Sequence, residues 1–366
     1  MYLDVAATKY HIDVDIWDSC CKLAELGIGN PSSLHQMGIR AKNIINHARK
    51  EIAESIGAKA DQIIFFSSAT EANNYLQRCF DFVTARSVEH SSMNVIDIYD
   101  INNSKELNRS CFTHIMVSNI TGEIFNIKRM VKDVNMSRGY KEPFHTDATS
   151  AYGKLNIDVN DLGVDFMTLP SSHKLGLIGG CCPLYVRDKE YLKVFGTGGE
   201  QEEGFHRGTE NVLAIYAYGK YAQRINENPE SVIENNPCLV SRTKSILSSI
   251  KDIFNKELGE DWKICYFTPS TIKTKIPIVL VAFKNIDAET LQMVLSNKEI
   301  YVSTLSACSS GKKDNRILDK LHLPNDFKNG TIRISWDERV PKELIEKDIK
   351  EIAASVKHMQ SLKDVR

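Results

Sequence analysis

Short apolar, β-favouring runs recur along this chain, and segments of helical period fill the intervals between them. That alternation restricts the fold more than any other feature. "QIIFFSS" (62–68), "HIMVSNI" (114–120), "DFMTLPSS" (165–172) and "CCPLYV" (181–186) read as buried strands. Upstream, Ala41, Ile44, Ile45, Ala48, Ile52, Ala53 and Ile56 keep an i, i+3/i+4 spacing that stops at Gly57. The spacing predicts an amphipathic helix with a glycine C-cap. A second such stretch runs from Val212 to about Ile225. Strands alternating with helices predict an α/β fold, a mostly parallel sheet sandwiched by helices. Ligands of such sheets bind at the carboxyl ends of the strands.

At 366 residues the chain is long enough for one large and one smaller domain. Between Asn226 and Cys238 it turns polar, with two prolines and no period, as at the approach to a boundary. Ser241 to Leu258 then reads as a connecting helix. A smaller α/β unit follows, with "IPIVLVAF" (276–283) as a strand, a helix capped at Asp287, and "TIRISW" (331–336) as another strand. A last helix begins after Pro341. The expected division is a large domain over 14–240 and a small one from 1–13 and 241–366.

A net charge of −1 gives no reason for direct nucleic-acid or membrane attraction. No apolar run approaches the ~20 residues of a membrane span, and the start carries no secretory pattern. Nine cysteines without any C-x-x-C pair fit neither a disulfide framework nor a zinc site. They point to a reducing cytoplasm with mostly buried thiols. No metal is expected.

The strand at 165–172 runs into Ser171-Ser172-His173-Lys174 and then glycines. A lysine there can form a Schiff base with an aldehyde cofactor. "FHTDATSAYGK" sets Asp147 at the end of another β-like run, where pyridoxal phosphate (PLP) finds a carboxylate for its ring nitrogen. "SSATEANN" (67–74) is a strand-to-helix turn whose backbone N–H groups, around Ala69 and Thr70, suit a phosphate. "SVEHSSM" supplies His90 and "VSNITG" supplies Asn119. Each alone reads as an ordinary loop polar group; their order together does not. Cys308, in "STLSACSSGKK", sits among serines and glycine, where a structural cysteine would have apolar company.

On these segments, together with "YLDVAAT", "GNPSSLHQMG", "GGEQEEGFHRGTENV" and "IRIS", the chain resembles the cysteine desulfurases. These are PLP-dependent enzymes of fold type I in the class V aminotransferase group. The resemblance implies a large PLP-binding domain and a small domain carrying a cysteine loop at about 303–316. It implies that Lys174 holds PLP as a Schiff base, Asp147 pairs with the ring nitrogen, His90 stacks on the ring and Asn119 lies near the phenolic oxygen. Ala69, Thr70, Ser171 and His173 would hold the cofactor at its phosphate end. Thr209 would reach the phosphate of a neighbouring subunit, so a homodimer is implied. Arg333 would clamp the carboxylate of the substrate, L-cysteine.

Cys308 would then receive sulfur as a persulfide and carry it to an acceptor protein. Exposed ion pairs are worth ~0–1 kcal/mol, whereas one pKa unit needs ~1.4 kcal/mol, so Lys312 and Lys313 are too weak to ionise the thiol alone. The expected acceptor of its proton is His90 or the bound substrate. Ser150 stands where the family usually has a glutamine, Val5 where it has an asparagine, and His206 where it has an arginine. Two other readings are another class V lyase or transaminase, and a degenerate PLP-fold scaffold without activity.

Overall fold

The computed structural model describes residues 1–85, 88–93, 96–97, 110–268, 275–305 and 315–363. They form two compact units. The larger comprises His11–Val117 and Phe125–Asn235; the smaller comprises Met1–Tyr10, Ser118–Ile124 and Asn236–Arg366.

The larger unit is built on seven strands: β1 (Ile63–Phe66), β2 (Phe82–Ala85), β3 (Ile96–Asp97), β4 (Ser110–Thr113), β5 (Phe144–Asp147), β6 (Phe166–Thr168) and β7 (Cys182–Val186). Their order across the sheet is β1-β7-β6-β5-β4-β2-β3. Strands β6, β5, β4, β2 and β3 are mutually parallel, and β7 runs antiparallel to both its neighbours. Every residue of β1, β5 and β7 is buried, the mark of strands covered on both faces. Around them lie α1 (Val14–Glu25), α2 (Gln36–Glu54), α3 (Ala69–Cys79), α4 (Ile127–Arg138), α5 (Val159–Leu162) and α6 (Val212–Glu227). Ala72, Tyr75, Leu76 and Cys79 of α3 pack on Ile64, Phe66, Phe166 and Leu184.

Two expectations shift here. Helix α2 stops at Glu54 with Ser55 as its C-cap, ahead of Gly57. Gly57 follows with φ +69, and a Cβ there would meet the Asp158 carboxylate at 2.9 Å. The run 114–120 is not a strand: the ladder strand is β4 just before it. His114 and Met116 still donate to the carbonyls of His145 and Asp147, so the run flanks β5 in irregular form.

The smaller unit holds an antiparallel sheet of β8 (Trp262–Ile264), β9 (Ile278–Phe283), β10 (Ser303–Thr304) and β11 (Thr331–Ser335), in the order β10-β11-β9-β8. Its helices are α7 (Pro237–Leu258), α8 (Ala288–Ser296), α9 (Asn315–Lys320), α10 (Asn325–Lys328) and α11 (Lys342–Lys363). Helix α7 starts before the expected Ser241, because the Asn236 side chain accepts from the amides of Cys238 and Leu239. Asp287 caps α8 as expected, accepting from the Thr290 amide at 2.9 Å. Ile246, Ile250 and Phe254 of α7 and Ile345, Ile349 and Ile352 of α11 share one core with Val279, Val281, Ile332 and Ile334.

Residues 118–124, expected in the large domain, group with the smaller unit instead. Ile120 packs with Leu280, Ala282 and Phe327. The Glu123 carboxylate accepts from the amides of Phe267 and Thr268 at 2.7 and 2.8 Å. Gly122 has φ +74, and a Cβ there would sit 2.5 Å from the Ile278 carbonyl oxygen.

Among the described residues six cysteines are buried, Cys21 and Cys238 are exposed, and all eight are free. No described helix is long and apolar enough to cross a membrane.

Candidate cofactor site

Three parallel strands of the larger unit end in polar residues that one helix ties together. Thr113 closes β4, Asp147 closes β5 and Thr168 closes β6. Asp147 is 3% exposed. Its Oδ1 accepts from the Thr149 amide at 2.8 Å and its Oδ2 from Asn73 Nδ2 at 3.2 Å. Asn73 lies on the buried stripe of α3, fully enclosed. Its Nδ2 also donates to Ser92 Oγ at 2.8 Å, and its Oδ1 accepts from the Thr168 hydroxyl at 2.7 Å. Thr168 Oγ1 is 2.9 Å from His145 Nε2, and His145 Nδ1 is 2.7 Å from the Thr113 hydroxyl. At the other end, His90 Nδ1 lies 2.8 Å from Ser92 Oγ and receives the Ser92 amide at 3.1 Å.

Burial shapes the charges around this network. It lowers the His145 imidazole to about 4, against the pull of the Asp147 charge. It pushes the Glu89 carboxyl up to about 8, with the Asp147 charge adding to the rise. Glu89 Oε1 accepts from the Ile115 amide at 2.6 Å, while Oε2 is buried without a hydrogen bond.

The lysine turn meets the start of α3. Ser172–Leu175 forms a short 3₁₀ turn carrying His173 and Lys174, closed by Gly176 at φ +76. Ser171 Oγ accepts from the Ala69 amide at 2.8 Å, at the first residue of α3. Ser68 caps the same helix, accepting from the Glu71 amide at 3.1 Å. Thr70 is exposed in that first turn and Lys174 is partly buried. Burial, then the Lys174 charge, lowers the His173 imidazole. His206 Nε2 sits 3.2 Å from Glu71 Oε1. Its hydrogen bond is the main cause holding Glu71 at about 2, and Glu71 in turn raises His206. Ser150 is buried and its carbonyl accepts from Lys154 Nζ at 3.2 Å. Thr209 is exposed in the loop before α6.

In the smaller unit, Arg333 on β11 is also 3% exposed. Its Nη1 donates to the Asn119 carbonyl at 3.0 Å and its Nη2 to Asp4 Oδ1 at 2.6 Å. Arg333 Nε and Asn119 Oδ1 are buried without a hydrogen bond.

The larger unit therefore joins Ala69, Thr70, Ser171, His173 and Lys174 through α3 to Asp147 and His90. The smaller unit joins Asn119 to Arg333. Cys308, Lys312 and Lys313 lie outside the described residues. Asn73, Ser92, Glu89 and Asp4 were not anticipated. A polar Asn73 on an apolar helical stripe is the one sequence signal that could have flagged the network.

These donors suit PLP. Asp147 is a buried carboxylate whose hydrogen bonds, among the described residues, come from two neutral N–H donors, the Thr149 amide and the Asn73 carboxamide. A buried charge in that state is stabilised by a cationic partner such as a protonated pyridine nitrogen. At the start of α3 the Ala69 and Glu71 amides are taken by Ser171 and Ser68, so what the turn offers an anion is the Thr70 amide and the hydroxyls of Thr70 and Ser171, with Lys174 on the adjoining turn.

The architecture is that of PLP-dependent transferases of fold type I. It superposes on a NifS-like protein from Rickettsia africae ESF-5 with a TM-score of 0.81, at 23% identity, covering 98% of this chain and 99% of that one. The family model for aminotransferase class-V matches residues 1–94 and 83–347, and the chain belongs to that family. A cysteine desulfurase IscS from Dictyoglomus turgidum is 26% identical over 371 residues, covering 94% of this chain and 91% of its own. A NifS/IcsS protein homolog from Lactobacillus delbrueckii subsp. bulgaricus is 30% identical over 340 residues, 85% of each chain.

Proposed function

We propose that this protein is a PLP-dependent cysteine desulfurase, which takes sulfur from L-cysteine, releases L-alanine and passes the sulfur to an acceptor protein. One observation carries the reading. The Ser171–Ala69 and Asn73–Asp147 hydrogen bonds bring the start of α3, the lysine turn and a buried carboxylate to one set of strand ends. Relatives named as cysteine desulfurases along nearly the whole chain supply the reaction class.

Lys174 would anchor the cofactor, Asp147 would pair with its ring nitrogen and His90 would stack on its ring. Thr70, Ser171 and His173 would hold the phosphate, and the Ala69 amide, by donating to Ser171 Oγ, would set the place of that hydroxyl. Ser150 would face the phenolic oxygen from the position of the family's glutamine, with a shorter reach. When bound, PLP supplies an electron sink that lets bonds at the substrate's α-carbon ionise. Arg333 receives the substrate carboxylate, since its Nε–H is an unused buried donor in a planar fork. Asn119 contributes its side-chain Oδ1, a buried acceptor without a hydrogen bond. The Cys308 thiolate attacks the substrate sulfur; its carbon–sulfur bond breaks, the departing carbon is protonated to alanine, and Cys308 keeps a persulfide. The reading makes the protein a cytoplasmic homodimer, with Thr209 reaching the partner's phosphate.

The test is release of alanine from L-cysteine with dithiothreitol-dependent sulfide. Wild type is expected to give both in equal amounts, Cys308→Ala to lose nearly all turnover, and borohydride to fix a yellow chromophore on Lys174. Full activity in Cys308→Ala, or no chromophore, overturns the reading.

A further inference from the structure

We propose that Asn73 and Ser92 are positioning residues that set where the protons of this site reside, keeping Asp147 an acceptor and the ring proton of His90 on Nε2. The roles of His90 and Asp147 rest on the reading just given; the proton pattern follows from donor and acceptor bookkeeping.

Both oxygens of Asp147 take N–H donors, so the Asn73 atom 3.2 Å away is its amide nitrogen. The carboxamide orientation is thereby settled, and its oxygen faces Thr168. An amide oxygen cannot donate, so the Thr168 hydroxyl gives its single proton across the 2.7 Å contact. Thr168 must then accept from His145 Nε2–H at 2.9 Å. A buried imidazole held neutral has one N–H, which leaves His145 Nδ1 to accept from Thr113.

The other branch obeys the same logic. The second Asn73 N–H goes to Ser92 Oγ at 2.8 Å, which turns the Ser92 hydroxyl proton onto His90 Nδ1. The Ser92 amide aims at that same nitrogen from 3.1 Å. Two donors on Nδ1 leave no place for a proton there, so Nε2 carries it. Every donor in the chain points toward Asp147 or His90. Asn73 and Ser92 are 0% and 8% exposed, so water does not readily replace either link.

His90 is then an N–H donor in the resting protein. Of the two expected acceptors for the Cys308 proton, this leaves the bound substrate.

Ring-nitrogen NMR of selectively labelled histidines reads the pattern in the protein as purified, with His90→Gln for assignment. The expected spectrum at neutral pH shows His90 with a hydrogen-bonded bare Nδ1 and a protonated Nε2. Ser92→Ala should shift the Nδ1 signal, and Ser92→Thr, which keeps the hydroxyl, should restore it. Asn73→Asp, similar in shape but without N–H donors, should draw the Ser92 hydroxyl away and shift Nδ1 likewise. With L-cysteine, Ser92→Ala should lower kcat about tenfold at little change in KM. A proton on His90 Nδ1, or an Nδ1 signal identical in Ser92→Ala and wild type, overturns the proposal. The expected spectrum in a protein that releases neither sulfide nor alanine upholds the proton assignment and overturns the desulfurase reading instead.

Discussion

Asp147 in the larger unit and Arg333 in the smaller are equally buried, yet they are satisfied by opposite means. Neutral donors surround Asp147: the Thr149 amide and the Asn73 carboxamide. Its acidic neighbour Glu89 is pushed toward the neutral form, and nearby His145 is kept uncharged. Arg333 meets a full counter-charge, Asp4, and a backbone carbonyl. The difference teaches what each can still accept. An anion held only by dipoles retains most of its attraction for an incoming cation. A cation already paired retains less, and what remains is directional, an Nε–H seeking one more acceptor.

The comparison can be broken at either charge. Asp147→Asn keeps the shape and removes the anion. On the proposed reading it lowers alanine release on the order of a hundred- to a thousandfold, with a modest fall in the unfolding midpoint because its NH2 faces the Thr149 or the Asn73 donor. A large drop in that midpoint with activity retained would mean that the anion serves the fold and not a ligand. Arg333→Lys keeps the charge and loses the fork. KM for L-cysteine is expected to rise about ten- to a hundredfold with a smaller effect on kcat. An unchanged KM would remove the carboxylate from this side chain.

The smallest effect concerns Glu89 and is read in stability. Its carboxyl rises from the ordinary 4.5 to about 8 in the folded protein, so the folded state binds the extra proton between those values. Stability linked to Glu89 is therefore complete below 4.5 and falls as pH climbs toward 8. Glu89→Gln abolishes that fall, at a cost below about 1 kcal/mol in acid. Urea unfolding across this range checks it, and equal slopes for the two proteins would refute it.

Much of the fold was legible because burial writes itself as period. The apolar positions of α2 and α6, and the solid runs of β1 and β7, declare their faces. The ladder strand β4, Ser-Cys-Phe-Thr, was hidden because two of its four residues are polar although all are buried. The neighbouring "IMV" is apolar and so reads as a strand, but its irregular hydrogen bonds lie beyond what hydropathy records. In the candidate site, the sequence places Asp147 at the end of a strand, where β5 closes, and Lys174 after another, on the turn that follows β6. Ser92 and Asp4 were not legible, because what matters about them is a partner distant in the chain, Asn73 or Arg333. Ser118–Ile124 was misplaced for the same reason: Glu123 finds its amides at Phe267 and Thr268.

The division into two units bears on how the chain is made. The ribosome has delivered every strand of the seven-stranded sheet before residue 236 emerges, so that sheet can assemble early. The other unit is complete only with β11, to which the Leu3 carbonyl and the Val5 amide are hydrogen-bonded at Ser335. Arg333 is supplied by that last strand, so the nascent protein can complete the half proposed to bind the aldehyde cofactor well before it owns the arginine proposed to recognise an amino acid.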